Sequence, residues 1–318
     1  MQRPWQGDVY FIVNGVQQSD ALSDKWIGPQ GSQYVANFWS PQSGTACYSD
    51  SIDIAGKPPS GMPGTWNIQI YLNGQLLTTV QFTITNITQS RVGVLAHVAI
   101  NSGWITSISL INASSSPVTV TVNFHGDDGS ALSLPLNFTG PDGSQSFTTS
   151  SLLATIGPNA TVLIETVNQT SATVLQGWAE VLGSEPVSGF AIFRYVGSGG
   201  SASEGTVPLQ TTFPSSLVLP YDNTSGFVTG MAMANLSTSA ANISATIWDA
   251  NGSQIGTESI NLSGDGHGGY VVPTVFTVTA GQRGTIQFEN MSGGGLAGIG
   301  LRFSPFGTFT SVPIILLP

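Results

Sequence analysis

The sequence predicts an all-β protein made of three tandem β-sandwich domains, the last two of which are an internal duplication. Three observations lead to this prediction. Only 8% of the 318 residues are charged, whereas Ser and Thr account for 71 of them, so helix-forming residues are scarce. Short runs of alternating apolar residues are separated by Gly, Asn and Asp turn signals at intervals of about 8–12 residues. Finally, one motif occurs twice, 123 positions apart.

Residues 1–89 are interpreted as an immunoglobulin-like β-domain. The segment GTWNIQIYLNGQLLTTVQFTIT (64–85) predicts a β-hairpin, because Asn73-Gly74 supplies the positive φ angles of a two-residue turn. The apolar residues that alternate along its two strands are Trp66, Ile68, Ile70 and Leu72 before the turn and Val80, Phe82 and Ile84 after it.

The repeated motif defines two further domains, at 90–210 and 211–318. SGWITSISLINAS (102–114) and SGFVTGMAMANLS (225–237) share a Ser-Gly-aromatic start, a Thr three residues after the Gly, and an Asn-x-Ser end. Three further landmarks follow in the same order in both copies, which favours duplication over chance. They are an alternating strand (118–124 and 243–249), a Gly-containing strand (188–195 and 297–303) and a Val-Pro-aliphatic sequence (207–209 and 312–314).

The alternation inside this motif is interrupted at the same place in both copies. Thr106 and Thr229 occupy positions on the otherwise apolar face of their strands. We therefore expect both strands to bury the same face, and we interpret the motif as a signature of the fold.

These motifs resemble the tandem immunoglobulin-like or fibronectin-like modules of secreted bacterial surface proteins. The matching features are the Gly-x-Trp, Asn-Gly and Phe-x-Ile of segment 64–84, the Gly-aromatic-x-Thr openings of the two repeats, their Asp-Gly and Asn-Gly turns, and FTSVP (309–313). The resemblance implies an architectural role and no particular reaction.

Charge and hydropathy argue against several classes of partner. The formal net charge is −10, and seven basic residues spread singly along the chain do not form a phosphate-binding patch, so no nucleic-acid partner is expected. No stretch of 18 apolar residues predicts membrane insertion. The N-terminal segment lacks the apolar core of a signal peptide, which leaves open whether the chain is processed or is exported by another route.

Cys47 is the single cysteine and is expected to be a buried small hydrophobe, with an intermolecular disulfide or a reactive thiol as alternatives.

Asn-x-Ser/Thr sequons are more frequent than chance predicts. Of 17 Asn residues, 11 begin a sequon, against about four expected from the Ser/Thr content. One interpretation is an exported, N-glycosylated surface; the alternative is that Asn turns in Ser/Thr-rich strands produce the pattern. The glycosylation candidates are Asn86, Asn112, Asn137, Asn159, Asn168, Asn223, Asn235, Asn242, Asn251, Asn261 and Asn290.

No catalytic signature is recognisable, and we expect no enzyme activity, metal or cofactor. HGDDG (125–129) and GDGHGG (264–269) are interpreted as polar turns, because neither has the ligand spacing of a metal site. The strand-associated glutamates are interpreted as edge residues, with a glycosidase pair as the weaker alternative. These glutamates are Glu165, Glu180, Glu185 and Glu289.

Trp26 and Trp39 lie in polar, loop-like sequence and are candidates for stacking on sugar rings, with the edge of a core as the alternative.

Taken together, the sequence predicts a non-enzymatic extracellular structural protein, a subunit of a surface filament or layer. SVPIILLP (311–318) and DVYFIVNG (8–15) are apolar strands that would allow homopolymer formation by strand addition, unless each completes its own sandwich. The alternatives are a carbohydrate-binding or adhesive module of a cell-surface protein and a virion surface protein.

Overall fold

The computed structural model describes residues 6–54, 58–85, 88–140, 143–169, 171–197 and 202–317. The chain is built almost entirely of antiparallel strands, which confirms the all-β prediction. It divides into two compact units, Met1–Ile87 and Thr88–Pro318. The first boundary lies close to the predicted end of the immunoglobulin-like domain at residue 89. In the described ranges no helix is long and apolar enough to cross a membrane.

The first unit contains two antiparallel sheets, one of two strands (β1-β4) and one of four (β3-β2-β5-β6). Their strands are β1 (Gln6–Val16), β2 (Leu22–Ile27), β3 (Gln33–Trp39), β4 (Gly44–Asp53), β5 (Gly64–Leu72) and β6 (Gln75–Ile84), with a 3-10 turn at Pro58–Gly61. Val9 and Ile52 from the smaller sheet share a core with Trp26, Trp66 and Ile68 from the larger one.

The hairpin predicted at 64–85 is confirmed. Asn73 (φ 50°) and Gly74 (φ 80°) form the turn between β5 and β6. Trp66 and Ile70 are buried as expected, but Val80 is 41% exposed. The exposure follows from the position of β6 at the edge of the sheet, where few neighbours cover its side chains.

The first repeat forms a four-stranded sheet, β12-β9-β14-β7, and a six-stranded sheet, β11-β10-β13-β8-β15-β16. These strands are β7 (Ser90–Ile100), β8 (Trp104–Asn112), β9 (Val118–Gly126), β10 (Leu134–Gly140), β11 (Gly143–Thr149), β12 (Ser151–Ile156), β13 (Ala160–Thr166), β14 (Leu175–Gly183), β15 (Ser188–Val196) and β16 (Ala202–Pro208). Apolar side chains of both sheets meet in one core, which contains Ile108, Val120 and Trp178.

The second repeat forms a five-stranded sheet, β20-β19-β22-β17-β25, and a four-stranded sheet, β21-β18-β23-β24. The elements are β17 (Ser216–Asp222), β18 (Val228–Asn235), β19 (Ala241–Asp249), β20 (Gln254–Leu262), β21 (His267–Val271), the one-turn helix α1 (Val272–Val275), a 3-10 turn at Thr277–Thr279, β22 (Arg283–Asn290), β23 (Leu296–Phe303), β24 (Phe309–Val312) and β25 (Ile315–Leu317).

Both repeats have the same strand order, which supports the internal duplication. The order β12-β9-β14-β7 corresponds to β20-β19-β22-β17, and β13-β8-β15-β16 corresponds to β21-β18-β23-β24. The first repeat adds the β10–β11 hairpin and the second adds β25. The predicted strands at 118–124, 188–195, 243–249 and 297–303 fall within β9, β15, β19 and β23.

The duplicated motif begins with a tight turn, which connects one sheet of each sandwich to the other. Ser102 and Gly103 have φ angles of 48° and 91°, and Ser225 and Gly226 have φ angles of 54° and 79°. Thr106 and Thr229, which interrupt the apolar alternation, are both buried, as expected if the two strands bury the same face.

The two threonines serve the same purpose in both copies. The Thr106 hydroxyl donates to the Ala99 carbonyl (2.8 Å) and accepts from the Ala99 N–H (3.0 Å). The Thr229 hydroxyl makes the same two contacts with the backbone of Asp222, at 3.2 and 2.9 Å. Each threonine therefore ties its strand to the strand before the turn.

The two repeats do not separate at residue 210. Met231 and Met233 on β18 point into the core of the second sandwich, whereas Ala232 and Ala234, on the opposite face of the same strand, join the core of the first. The predicted boundary at 210/211 therefore lies inside one compact unit, in which residues of the second repeat help to form the core of the first sandwich.

The apolar strands at either end of the described chain pair internally. β1 pairs with β4 over most of its length, and β25 pairs with β17 through three register positions, Ile315, Leu316 and Leu317. This is the arrangement in which each strand completes its own sandwich.

Candidate functional site

The two polar turns singled out in the sequence lie against each other in the second unit. Their backbones approach so closely that a Cβ at Gly129 would collide with the Gly264 carbonyl, and a Cβ at Gly266 would lie 3.0 Å from the Asp127 carbonyl oxygen. Gly129 is therefore required for this contact, and Gly266 favours it. It joins the turn after β9 in the first repeat to the turn before β21 in the second.

A hydrogen-bonded relay of three side chains crosses this contact. Asp127 Oδ1 lies 2.7 Å from His267 Nδ1, and His267 Nε2 lies 3.0 Å from His97 Nδ1. Gln176 Nε2 donates to the other oxygen of Asp127 at 3.0 Å. The His267 side chain is fully buried, whereas the Asp127 side chain is 52% exposed, so the relay runs from the surface into the junction.

The two imidazoles meet end to end. Their planes differ by only 20° and their centroids are 5.1 Å apart, well beyond the 3.0 Å between the facing nitrogens. A carboxylate only accepts hydrogen bonds, so His267 Nδ1 is the donor to Asp127. In the neutral relay His267 Nε2 then accepts from His97 Nδ1–H. The contact is a proton-sharing chain.

The electrostatics of the relay keep His97 neutral. Burial lowers the pKa of His97 to about 3, and repulsion by His267 contributes, while Asp127 opposes the shift. Burial acts to raise the pKa of Asp127, but hydrogen bonds from His267 and Gln176 hold it below its usual value. Among the described residues neither imidazole bonds a hydroxyl or a thiol, and no group of three potential ligands surrounds a metal position.

Neighbouring polar contacts reinforce the same junction. The Trp178 indole N–H donates to the Asp265 carbonyl at 2.6 Å, and Arg91 donates to the Leu236 carbonyl at 2.9 Å. His125 stacks on Trp178 with ring centroids 4.5 Å apart, and its Nε2 is buried without a protein hydrogen-bond partner. All three histidines of the chain are thus found at or beside the junction.

A second polar cluster lies in the first unit, where two carboxyl groups face each other between its sheets. Asp24 is fully buried on β2 and Asp50 is partly buried on β4. The Trp26 indole N–H donates to both, at 3.0 and 2.7 Å, and the Asn37 amide also donates to both, at 3.2 and 2.6 Å. Burial, followed by the hydrogen bond to Asp50 and repulsion by it, raises the pKa of Asp24 to about 6.

An open cleft of about 270 Å³ lies beside this pair. Its lining combines an aromatic ring with an amide and carboxyl groups: Tyr34, Val35, Asn37, Asp50, Ser51, Ile52 and Asp53. Tyr34 is 39% exposed and rests edge-on against Trp66.

The prediction that Trp26 stacks on sugar rings is wrong. Trp26 is completely buried, because β2 points Leu22, Asp24 and Trp26 inwards in strict alternation. Trp39 is partly buried and packs against Phe11 and Tyr48 at centroid distances of 5.7 and 5.8 Å, so its ring already has aromatic partners.

Four of the predicted glycosylation sites are buried in the fold: Asn112, Asn223, Asn235 and Asn290. Their side-chain amides donate to protein atoms. For example, Asn112 Nδ2 bonds the carbonyls of Ser116 and Ile156, and Asn235 Nδ2 bonds those of Ser239 and Ser263. A glycan on these nitrogens is incompatible with the folded structure. Six candidates are exposed: Asn137, Asn159, Asn168, Asn242, Asn251 and Asn261; Asn86 lies outside the described residues.

The remaining candidates have ordinary structural environments. Cys47 is exposed on β4 opposite Ile12, which corrects the expectation that it is buried. The side chain faces outwards because side chains alternate along a strand and the next residue of β4, Tyr48, packs against the core. Glu180 pairs with Arg91 at 2.6 Å, and Glu165 accepts from Ser107 at 3.0 Å.

An apolar groove of about 320 Å³ lies beside β25 in the second unit. Its apolar lining includes Leu209, Ile299, Val312, Ile314 and Leu316, and none of the described residues that line it is charged.

Comparison with known proteins gives no family assignment. No protein-family model matches the chain, and no curated protein does. Trypsin-activated and porcine-elastase-activated α2-macroglobulin from Escherichia coli each align at 12% identity and a TM-score of 0.19, covering 96% and 97% of this chain and 22% and 29% of theirs. Dimeric latent PorU from Porphyromonas gingivalis aligns at 9% identity and a TM-score of 0.15, covering 98% of this chain and 29% of that one. The chain spans less than a third of each of these proteins, and similarity at this level assigns neither fold nor function.

Proposed function

We propose that the chain is a non-enzymatic structural subunit of an extracellular surface filament or layer, assembled by exchange of strand β25 between copies. The observation that carries this proposal is the weak attachment of β25. Within the described residues it pairs with β17 at three positions, and Ile315 and Leu316 remain 52% and 37% exposed. An edge strand of this kind exchanges at low cost, because the same contacts form with a second copy.

The apolar groove beside β25 supports the same mode of assembly. Leu316 lies in its lining, so departure of β25 uncovers both the edge of β17 and the groove. The same strand from another copy would restore the backbone pairing and the apolar contact together. The low charge of the chain and its exposed sequons favour an extracellular setting.

The test is a charged substitution in the exchanging strand. We expect Leu316→Asp to abolish assembly of the purified chain, as seen by electron microscopy and light scattering, because it places an unpaired carboxylate in an apolar groove. The monomer should stay folded, since the core residues of β24 are untouched.

Leu153→Asp is the matched control. Leu153 has a similar exposure, 41%, and lies on the edge strand β12, which belongs to a sheet of the first repeat and not to the sheet of β25. Equal loss of assembly in both variants, or normal assembly of Leu316→Asp, would contradict strand exchange.

A second candidate is saccharide binding by the first unit, as part of an adhesive protein. The observation that favours it is the cleft beside Tyr34, where an exposed aromatic ring adjoins the Asn37 amide and the Asp50 carboxyl. Aromatic faces with a few convergent polar groups suit sugar rings.

Tyr34→Ala should remove binding on a glycan array if this candidate is right. Phe38→Ala is the control, because Phe38 is 78% exposed on the same strand but does not line the cleft. Retained binding in Tyr34→Ala would exclude the cleft.

A further inference from the structure

We propose that the Asp127–His267–His97 relay is an acid-sensitive lock on the junction between the two sandwiches of the second unit. This regulation is independent of the strand exchange proposed above. His97 lies on β7 and Asp127 follows β9 in the first repeat, whereas His267 begins β21 in the second. The relay and the backbone bond from His267 N–H to the Asp127 carbonyl (3.2 Å) therefore close only when the two repeats are in contact.

The relay accommodates one additional proton but not two. Adding one proton to the imidazole pair reverses the inner hydrogen bond, so that His267 donates through both nitrogens and His97 accepts through Nδ1. Both hydrogen bonds survive, and the imidazolium stays next to the Asp127 carboxylate. A second proton leaves two N–H groups facing each other across 3.0 Å, which breaks the inner bond.

Among the described residues no further group compensates the second positive charge, because Asp127 already pairs with His267. The electrostatic partners of His97 are His267 and Asp127. Phe193 on β15 covers the His97 ring with its centroid 5.5 Å away, so this side is apolar. The other titratable groups on the surrounding elements are Asp128 beside Asp127, Asp265 and Tyr270 on either side of His267, His125 on β9, Arg194 and Tyr195 on β15, Arg302 on β23, and the Arg91–Glu180 ion pair of β7 and β14.

Opening of the junction therefore takes up a proton. In the closed state the pKa of His97 is about 3, whereas an exposed imidazole has its ordinary value of 6.5. Between these values the open state binds one more proton than the closed state, so acid favours opening. The opening equilibrium constant should rise about fivefold between pH 6.5 and pH 5.5 and about ninefold between pH 5.5 and pH 4.5, or about fifty-fold in total.

Native-state hydrogen exchange measures this opening directly. The informative N–H groups are those whose partners lie across the junction: the His267 backbone N–H, bonded to the Asp127 carbonyl, and the Trp178 indole N–H, bonded to the Asp265 carbonyl. Their protection, corrected for the intrinsic pH dependence of exchange, should fall about fifty-fold between pH 6.5 and pH 4.5. Amides in the middle of β19 should show no comparable change.

His97→Gln is the decisive variant, because Gln hydrogen-bonds His267 without titrating. We expect it to remove most of the pH dependence, while His125→Gln keeps it, since His125 stands outside the relay. The same slope in wild type and His97→Gln would overturn the proposal.

A second measurement uses the wild-type protein, so it does not depend on whether the variants fold. An NMR titration of the folded wild type should show the His97 imidazole neutral at pH 4.5. Titration of His97 near pH 6.5 in the folded protein would likewise overturn the lock.

Discussion

At the scale of single residues, the most informative side chains are the asparagines of the repeated motif. Asn112 and Asn235 each accept, through Oδ1, the N–H of the serine two residues later. Each also donates, through Nδ2, to the carbonyl four residues later. Asn290 makes the same pair of contacts with Ser292 and Gly294. The Asn-x-Ser pattern at these three sites is therefore a backbone corner, in which the amide satisfies groups that no strand partner reaches.

Substitution separates this structural role from glycosylation. We expect Asn235→Ala to destabilise the second unit by about 2–4 kcal/mol, because the Ser239 and Ser263 carbonyls and the Ser237 N–H each lose the buried Asn235 side chain as a partner. The measurement is urea unfolding of the chain produced without glycosylation.

Asn251→Ala is the control for this prediction. Asn251 also begins a sequon, but it is exposed in the β19–β20 turn, so its loss should change the free energy of unfolding by less than about 0.5 kcal/mol. Similar effects of the two substitutions would argue against the corner.

Individual side chains were hard to predict where polar and apolar residues share a buried face. Trp26 was placed in loop-like sequence because Asp24 precedes it on the same side of the strand. Asp24 is nevertheless buried, since Trp26, Asn37 and Asp50 satisfy its carboxyl group. Only the three-dimensional pairing of β2 with β3, and the approach of β4, reveals those partners.

At the scale of secondary-structure elements, strands with local signals were predicted well. The β5–β6 hairpin follows from alternation and Asn-Gly alone, which are properties of neighbouring residues. The β10–β11 hairpin has no equivalent in the second repeat, so comparison of the two copies could not predict it.

A strand that is buried on both faces has a sequence signature other than the alternation of polar and apolar residues. The run GMAMAN in β18 and the glycines of β23 leave no polar face. A Cβ at Gly298 would collide with Ile314, and one at Gly300 with Leu219. Continuous small and apolar residues indicate a strand packed on both faces. For β18 this predicts contact with the neighbouring sandwich as well as with its own.

At the scale of the whole molecule, the sequence predicted the repeats but not their fusion or the relay between them. His97 and His267 are 170 residues apart, and neither has a local pattern of ligands or catalytic partners. Their contact depends on how the second sandwich packs on the first. The close approach of HGDDG and GDGHGG accounts for Gly129 and Gly266, which are a second trace of the junction in the sequence beside the two-sided burial of β18.

The two compact units should respond to pH in opposite directions. In the first unit the folded pKa of Asp24, about 6, lies above its ordinary value of 3.8, so the folded state binds the extra proton and stability falls as pH rises through this interval. In the second unit the folded pKa of His97, about 3, lies below 6.5, so stability falls as pH decreases from 6.5 towards 3.

Scanning calorimetry between pH 4.5 and pH 7 should therefore show two unfolding transitions. As the pH falls, the midpoint temperature of the first unit should rise relative to the midpoint temperature of the second. Asp24→Asn should remove the pH dependence of the first unit alone, because the amide stays uncharged while the Asn37 contacts to Oδ1 are kept. His97→Gln should remove the pH dependence of the second unit alone. Parallel movement of both transitions with pH would show that the two buried groups do not control the stability of their units.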